Sequence, residues 1–131
     1  VREAVDAHPG SVRIARDAGL AIALGSDFST PEQHGTNRTE FDELVRAGLT
    51  PSEALTAATR SGAELLARVA HDPQGAPSGL IADGEIADAV IFDRNPLEPG
   101  AFSAPESVVA VIIDGTLIDL TETNTLRKDT P

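Results

Sequence analysis

The 131-residue chain has no cysteine, methionine, tryptophan or tyrosine, and its aromatic content is four phenylalanines. Without cysteine there is no disulfide framework, no thiolate metal site and no cysteine nucleophile, and the redox compartment stays open. Basic residues are scarce as well: Lys and Arg number 10 against 21 Asp and Glu, a formal net charge of −11. So large an acid excess repels phosphate backbones and anionic lipid headgroups, so no nucleic acid and no membrane is expected as a partner. Long apolar runs are missing too. None approaches the ~20 residues that cross a bilayer, and no basic stretch at the N-terminus leads into an apolar one. A soluble chain is expected, with the cytoplasm as its compartment.

What is present amounts to about one domain at ~150 residues per domain. Its 40% hydrophobic content suffices for a modest core. The sequence opens at Val1, with no start residue in view, directly into a helix-like segment. This raises the expectation that it is part of something larger.

Ser11, then Val12, Ile14, Ala15 and Ala18, then Gly19, predict a short helix with a polar start and a glycine stop. The continuous apolar run Leu20 to Leu24 suits a strand covered on both faces, as in a parallel sheet. Residues 25–38 (GSDFSTPEQHGTNR) form a polar loop after that strand. Phe41, Leu44, Val45 and Leu49 share a helical face, with Gly48 near its end. Thr50-Pro51-Ser52-Glu53 is a capping box with proline at the first helical position, and Ser61-Gly62-Ala63-Glu64 repeats the device. Beyond the connector 71–79 (HDPQGAPSG) the apolar runs shorten to strand length: Leu80-Ile81, Ala89 to Phe92, Val108 to Ile113 and Thr116 to Leu120. Asp114-Gly115 is a two-residue hairpin turn. A lone parallel strand cannot pair with itself, so its neighbours are expected from residues outside this chain or from another subunit.

Asp27 is the leading chemical candidate. Just past a buried strand, in Gly25-Ser26-Asp27, its carboxylate can point into a pocket above the sheet and bind a metal or accept a proton from water. The same residue can equally cap the following turn. His34 lies in the same loop as a ligand or substrate contact, or as an idle exposed histidine. Asn37 orients the loop or caps the next helix. His8, ahead of a helix, and His71, in the connector, are expected to be inert. No histidines are spaced as HxH or HxxxH, and Asp27 with three scattered histidines falls short of the three or four converging ligands that a zinc site needs. Asp83, Glu85, Asp88 and Asp93 read as solvated charges that protect sheet edges.

Several separated stretches resemble the C-terminal part of the amidohydrolase superfamily of metal-dependent hydrolases. They are residues 18–27 (AGLAIALGSD), His34-Gly35 with Asn37, residues 47–66 (AGLTPSEALTAATRSGAELL), Gly79-Leu80-Ile81, residues 84–91 (GEIADAVI), Asn95-Pro96-Leu97, and the closing hairpin around Asp114-Gly115. Together they cover roughly residues 12–120 in family order. The His34-Gly35 and Asn37 loop is most similar to the imidazolonepropionase-related and Xaa-Pro dipeptidase (prolidase-like) branch.

The resemblance implies an α/β fold, the C-terminal fragment of a (β/α)8 TIM barrel with part of a small β-sandwich. Residues 1–70 would be barrel, 71–125 β-sandwich and 126–131 tail, with Leu20 to Leu24 as the last strand. It implies hydrolysis of an amide or peptide C–N bond by metal-activated water, with a divalent metal, Zn2+ by family habit, as one or two ions. Asp27 matches the family's metal ligand and proton shuttle, and His34 and Asn37 fall among its substrate-binding residues. Ser26, where the family commonly has Thr, keeps the hydroxyl. The family's first-strand HxH, its bridging carboxylated lysine or glutamate, and its later strand-end histidines have no match here, so the chain alone is expected to be inactive. The partners implied are a small-molecule or peptide substrate and the N-terminal barrel residues absent from this chain, with a homo-oligomer left open. A deaminase of the same superfamily and a non-catalytic scaffold are the alternative readings.

Overall fold

The computed structural model describes residues 2–27, 29–33, 35–69 and 77–121. Among them are four α-helices, α1 (Arg2–Asp17), α2 (Thr39–Arg46), α3 (Pro51–Ala58) and α4 (Arg60–Val69), and three strands, β1 (Ala89–Phe92), β2 (Val108–Ile113) and β3 (Thr116–Asp119). The result is a helical layer followed by an antiparallel sheet of order β1-β2-β3. His34, His71 and the tail 126–131 lie outside the described residues.

α1 and α2 end in the same way. After α1 the Leu20 N–H donates to the Ala15 carbonyl and the Gly19 N–H to Arg16; after α2 the Leu49 N–H donates to Leu44 and the Gly48 N–H to Val45. This pair of bonds is the Schellman arrangement, which satisfies the last carbonyls and turns the chain sharply through a left-handed residue. Gly19 at φ 68° and Gly48 at φ 115° supply it. α2 therefore stops at Arg46, before the glycine, and Leu49 reaches the core from the turn. α1 starts nine residues earlier than Ser11 and runs through Pro9 and Gly10. A helix already under way is kinked rather than ended by proline, so the polar start at Ser11 has no cap to make and His8 lies inside the helix.

The α3 capping box forms as expected. Thr50 Oγ1 accepts from the Glu53 N–H at 3.2 Å, and the Thr50 N–H donates to Glu53 Oε2 at 2.7 Å. Its proposed repeat does not form. α4 follows α3 after the single residue Thr59, so Ser61 is already helical, and Glu64 instead accepts from Arg60 Nε at 2.8 Å, one turn back.

Phe41, Leu49 and Ala54 form the buried core, with Val12, Ile22, Leu24, Leu44, Val45, Leu55 and Phe102 packed on it. The run Leu20 to Leu24 is not a strand among the described residues. Ile22 and Leu24 face the helices, and the Leu24 N–H donates to the Ala57 carbonyl at 2.9 Å, but Leu20 is 63% exposed. One side is thus covered and the other has no sheet beside it.

In the sheet, Val90 pairs with Val111 and Val111 with Ile118, and a register shift falls at Ile91/Phe92. Asp114 (φ 48°) and Gly115 (φ 75°) make the tight hairpin, both residues in the left-handed region as a type I′ turn requires. Leu80-Ile81, expected as a strand, is irregular, with Ile81 92% exposed. No partner strand lies beside it among the described residues, and apolar character alone does not make a ladder. Asp88 and Asp93 are more than solvated charges: Asp88 Oδ1 accepts from the Asp114 N–H at 2.7 Å, and Asp93 pairs with Arg94. Gly79 approaches the junction of α3 and α4: a Cβ on it would lie 2.7 Å from the Thr59 carbonyl carbon.

Candidate functional site

The route to Asp27 begins at the Schellman turn after α1 and is held again by the Leu24–Ala57 hydrogen bond. Gly25 and Ser26 follow, and Asp27 takes φ 44°. Outside glycine such a conformation is uncommon, and Asp and Asn tolerate it best. Asp27 is exposed, at the far end of an otherwise packed segment. A carboxylate so placed accepts a proton from water or offers oxygen to a cation.

The loop beyond Asp27 is organised by a residue the sequence reading overlooked. Gln33 ends the one-turn 3-10 helix Pro31–Gln33. Its Oε1 accepts from the backbone N–H groups of Ser29 and Thr30, both at 3.0 Å. Its own N–H donates to the Thr30 carbonyl at 3.1 Å, and its carbonyl accepts from Thr36 N–H at 3.2 Å and Thr36 Oγ1 at 2.8 Å. The signal was in the sequence: Thr30-Pro31-Glu32-Gln33 has the same Thr-Pro-x-acceptor pattern as Thr50-Pro51-Ser52-Glu53. Thr36 then accepts from Thr39 and leads into α2.

Asn37 lies exposed in the turn ahead of α2, and its carbonyl accepts from the Glu40 N–H at 3.1 Å. It does not cap α2. The N-cap is Arg38, with no side-chain cap bond. The placement of His34 falls outside the described residues.

A divalent metal needs three or more converging donors, and no group of three His, Cys, Asp or Glu is found among the described residues. Asp27 alone offers one carboxylate, so the described residues do not by themselves fit a metal ion. The groove of ≈ 300 Å³ nearby runs along the opposite end of the segment, between Arg16, Leu20, Ile22, Leu49, Glu53 and Ser61, and Asp27 does not line it. No described helix is long and apolar enough to cross a membrane.

Residues 6–118 match the family described as Amidohydrolase family. Ochratoxinase of Aspergillus niger is 34% identical over 114 residues, which cover 86% of this chain and 22% of that protein. Its crystal structure matches with a TM-score of 0.74 at 32% identity, covering 90% of this chain and 26% of the other. A prolidase complexed with N-methylphosphonate-L-proline matches at TM-score 0.69 and 35% identity, covering 85% and 26%. A Xaa-Pro dipeptidase with bound methionine in its active site matches at 0.66 and 33%, covering 85% and 25%. The chain thus spans about a quarter of the length of the proteins it resembles.

Proposed function

This chain belongs to the amidohydrolase family, and from that premise we propose that the protein carrying it hydrolyses an amide or peptide C–N bond. The substrate class we favour is a dipeptide with C-terminal proline, with other N-acyl amino acids next, because prolidase, Xaa-Pro dipeptidase and ochratoxinase are its similar proteins. The observation that carries the reading is the placement of Asp27: an exposed carboxylate just past a segment pinned at both ends, in a conformation few residues adopt.

In this reading Asp27 takes a proton from the water that attacks the substrate carbonyl and delivers it to the leaving nitrogen. The loop from Ser29 to Asn37 forms a wall of the pocket, with His34 and Asn37 as substrate contacts. Leu20 to Leu24 is the last strand of a (β/α)8 barrel, residues 1–70 belong to that barrel, and 71–125 contribute to a β-sandwich. The neighbouring strands come from outside the described residues, which accounts for the uncovered side of the run. A divalent metal, zinc on the family pattern, would polarise the carbonyl and acidify water. Asp27 would be one of its ligands, and the others would also come from outside the described residues.

The test is hydrolysis of Ala-Pro and of N-acetyl amino acids by the full-length protein, beside Asp27→Asn. We expect release of free amino acid, and a loss on the order of 10²–10⁴-fold in Asp27→Asn, the range of general acid–base catalysis. Ammonia release in place of amino acid would turn the reading towards deamination. An unchanged rate in Asp27→Asn would refute the role of Asp27.

A further inference from the structure

Between Asp27 and α2, the hydrogen bonds that link the described residues of 29–36 to one another all involve Gln33. Its side-chain oxygen gathers the Ser29 and Thr30 amides, while its main chain links Thr30 to Thr36. Thr36 in turn is tied to the first residue of α2. Gln33 therefore joins the two ends of the loop, one that begins two residues after Asp27 and one that reaches Asn37.

We propose that Gln33 is a positioning residue for the reaction, holding the loop so that Asp27 keeps its direction and Asn37 its place. This rests on the reading of Asp27 given above.

The physical reason lies in the donors. Asp27 sits in the left-handed region at φ 44°, a conformation that persists only where the surroundings hold it. Immediately downstream, the Ser29 and Thr30 amides point to one shared acceptor. Without that acceptor both amides turn to water, the turn is left with only the backbone bond from the Gln33 N–H to the Thr30 carbonyl, and the stretch downstream of Asp27 loses its side-chain anchor. Gln33 itself is exposed and belongs to no α-helix and not to the core cluster, so its removal leaves the packing around Phe41 untouched. Glutamate presents the same acceptor at the same reach, whereas leucine keeps the bulk and loses the oxygen. The pair of substitutions thus separates acceptor from size.

The experiment uses the full-length protein with Gln33→Leu, Gln33→Glu and Asp27→Asn, assayed on Ala-Pro, together with amide hydrogen exchange over residues 29–36. In Gln33→Leu we expect faster exchange at Ser29 and Thr30. We also expect kcat to fall on the order of 10 to 100-fold, as small misplacements of a reacting group do, with a much smaller change in KM. Gln33→Glu restores both. The proposal is overturned if kcat in Gln33→Leu stays within about twofold of the unaltered protein, whatever KM does. It is equally overturned if kcat falls while exchange at Ser29 and Thr30 is unchanged, or if Gln33→Glu behaves as Gln33→Leu. Full activity in Asp27→Asn would instead strike the reading of the site, a result separable from any outcome at Gln33.

Discussion

The rings of Phe41 and Phe102 stack with centroids 4.2 Å apart and planes inclined by 12°. Phe41 comes from α2 and Phe102 from the loop between β1 and β2, so this pair is where the helical layer meets the sheet. Phe92 of β1 extends the contact, its centroid 5.3 Å from that of Phe102. Next to the stack, Ser103 Oγ donates to Asp42 Oδ2.

Because Phe41 is 2% exposed, truncating it leaves a cavity that the short helix α2 cannot close. Phe41→Ala is expected to cost about 3–5 kcal/mol. A double-mutant cycle with Phe102→Ala should return a coupling of about 0.5–1.5 kcal/mol, the excess an aromatic pair carries beyond its buried area. Urea unfolding of the four proteins at full length measures both, and strictly additive losses would deny the stack any energy of its own.

Gly79 and Gly84 both have positive φ, at 69° and 88°, but only Gly79 has backbone against it. Alanine at Gly79 must push on Thr59 and Arg60, while alanine at Gly84 meets open space. We expect Gly79→Ala to cost about 1–3 kcal/mol more than Gly84→Ala, the range of overpacking without room to yield. Equal unfolding midpoints in the two variants would contradict the close approach.

The capping box gives α3 a dependence on acid. Hydrogen bonds from the Thr50 backbone N–H and then from its hydroxyl favour the charged form of Glu53 and hold its carboxyl below the usual value. A depressed folded value means that this contribution is present above the unfolded carboxylate range and is lost as pH falls through the folded one. Urea midpoints should therefore drop more steeply on acidification in the unaltered protein than in Glu53→Gln, which keeps an acceptor without a charge. Parallel slopes would show that the box does not sense protonation.

Asp88, the residue just ahead of β1, accepts from the turn that joins β2 to β3. Removing its acceptor in Asp88→Ala leaves the Asp114 N–H to solvent, and a loss of about 0.5–1.5 kcal/mol is expected. Asp88→Asn should recover most of it. The Gly115 N–H, which donates to the Ala87 carbonyl at 2.9 Å, is the internal reference for amide exchange.

Leu20, Val69, Ile81 and Leu117 are 63%, 70%, 92% and 61% exposed. Apolar surface of this kind is a sticking surface. This stretch expressed by itself is expected to bind a hydrophobic dye and to melt without a sharp transition. A soluble monomer with a cooperative melt would contradict that.

What could be read in the sequence was what neighbouring residues decide among themselves. Thr50 and Glu53 need each other and three residues of helix, and Asp114-Gly115 needs two positive φ values, so both stood in the chain as plainly as in the fold. Leu80-Ile81 and Ser61 failed for a shared reason: a strand needs a partner and a cap needs a helix that has not yet begun, and neither condition is local. Asp88 reads locally as a solvated charge because its acceptor role depends on Asp114, 26 residues away. Gln33 is legible in Thr30-Pro31-Glu32-Gln33 as the acceptor of a capping pattern, although the segment it closes is a single 3-10 turn rather than an α-helix.

The run from Leu20 to Leu24 is tied at its two ends, by the Leu20 amide to the Ala15 carbonyl and by the Leu24 amide to Ala57. Fixing a residue's backbone costs roughly 1–2 kcal/mol in lost freedom. The helices have already met much of that cost for these five residues. In the barrel proposed above, a strand lying beside them would meet a partner whose course is set, so the sheet could close without first having to straighten its last member.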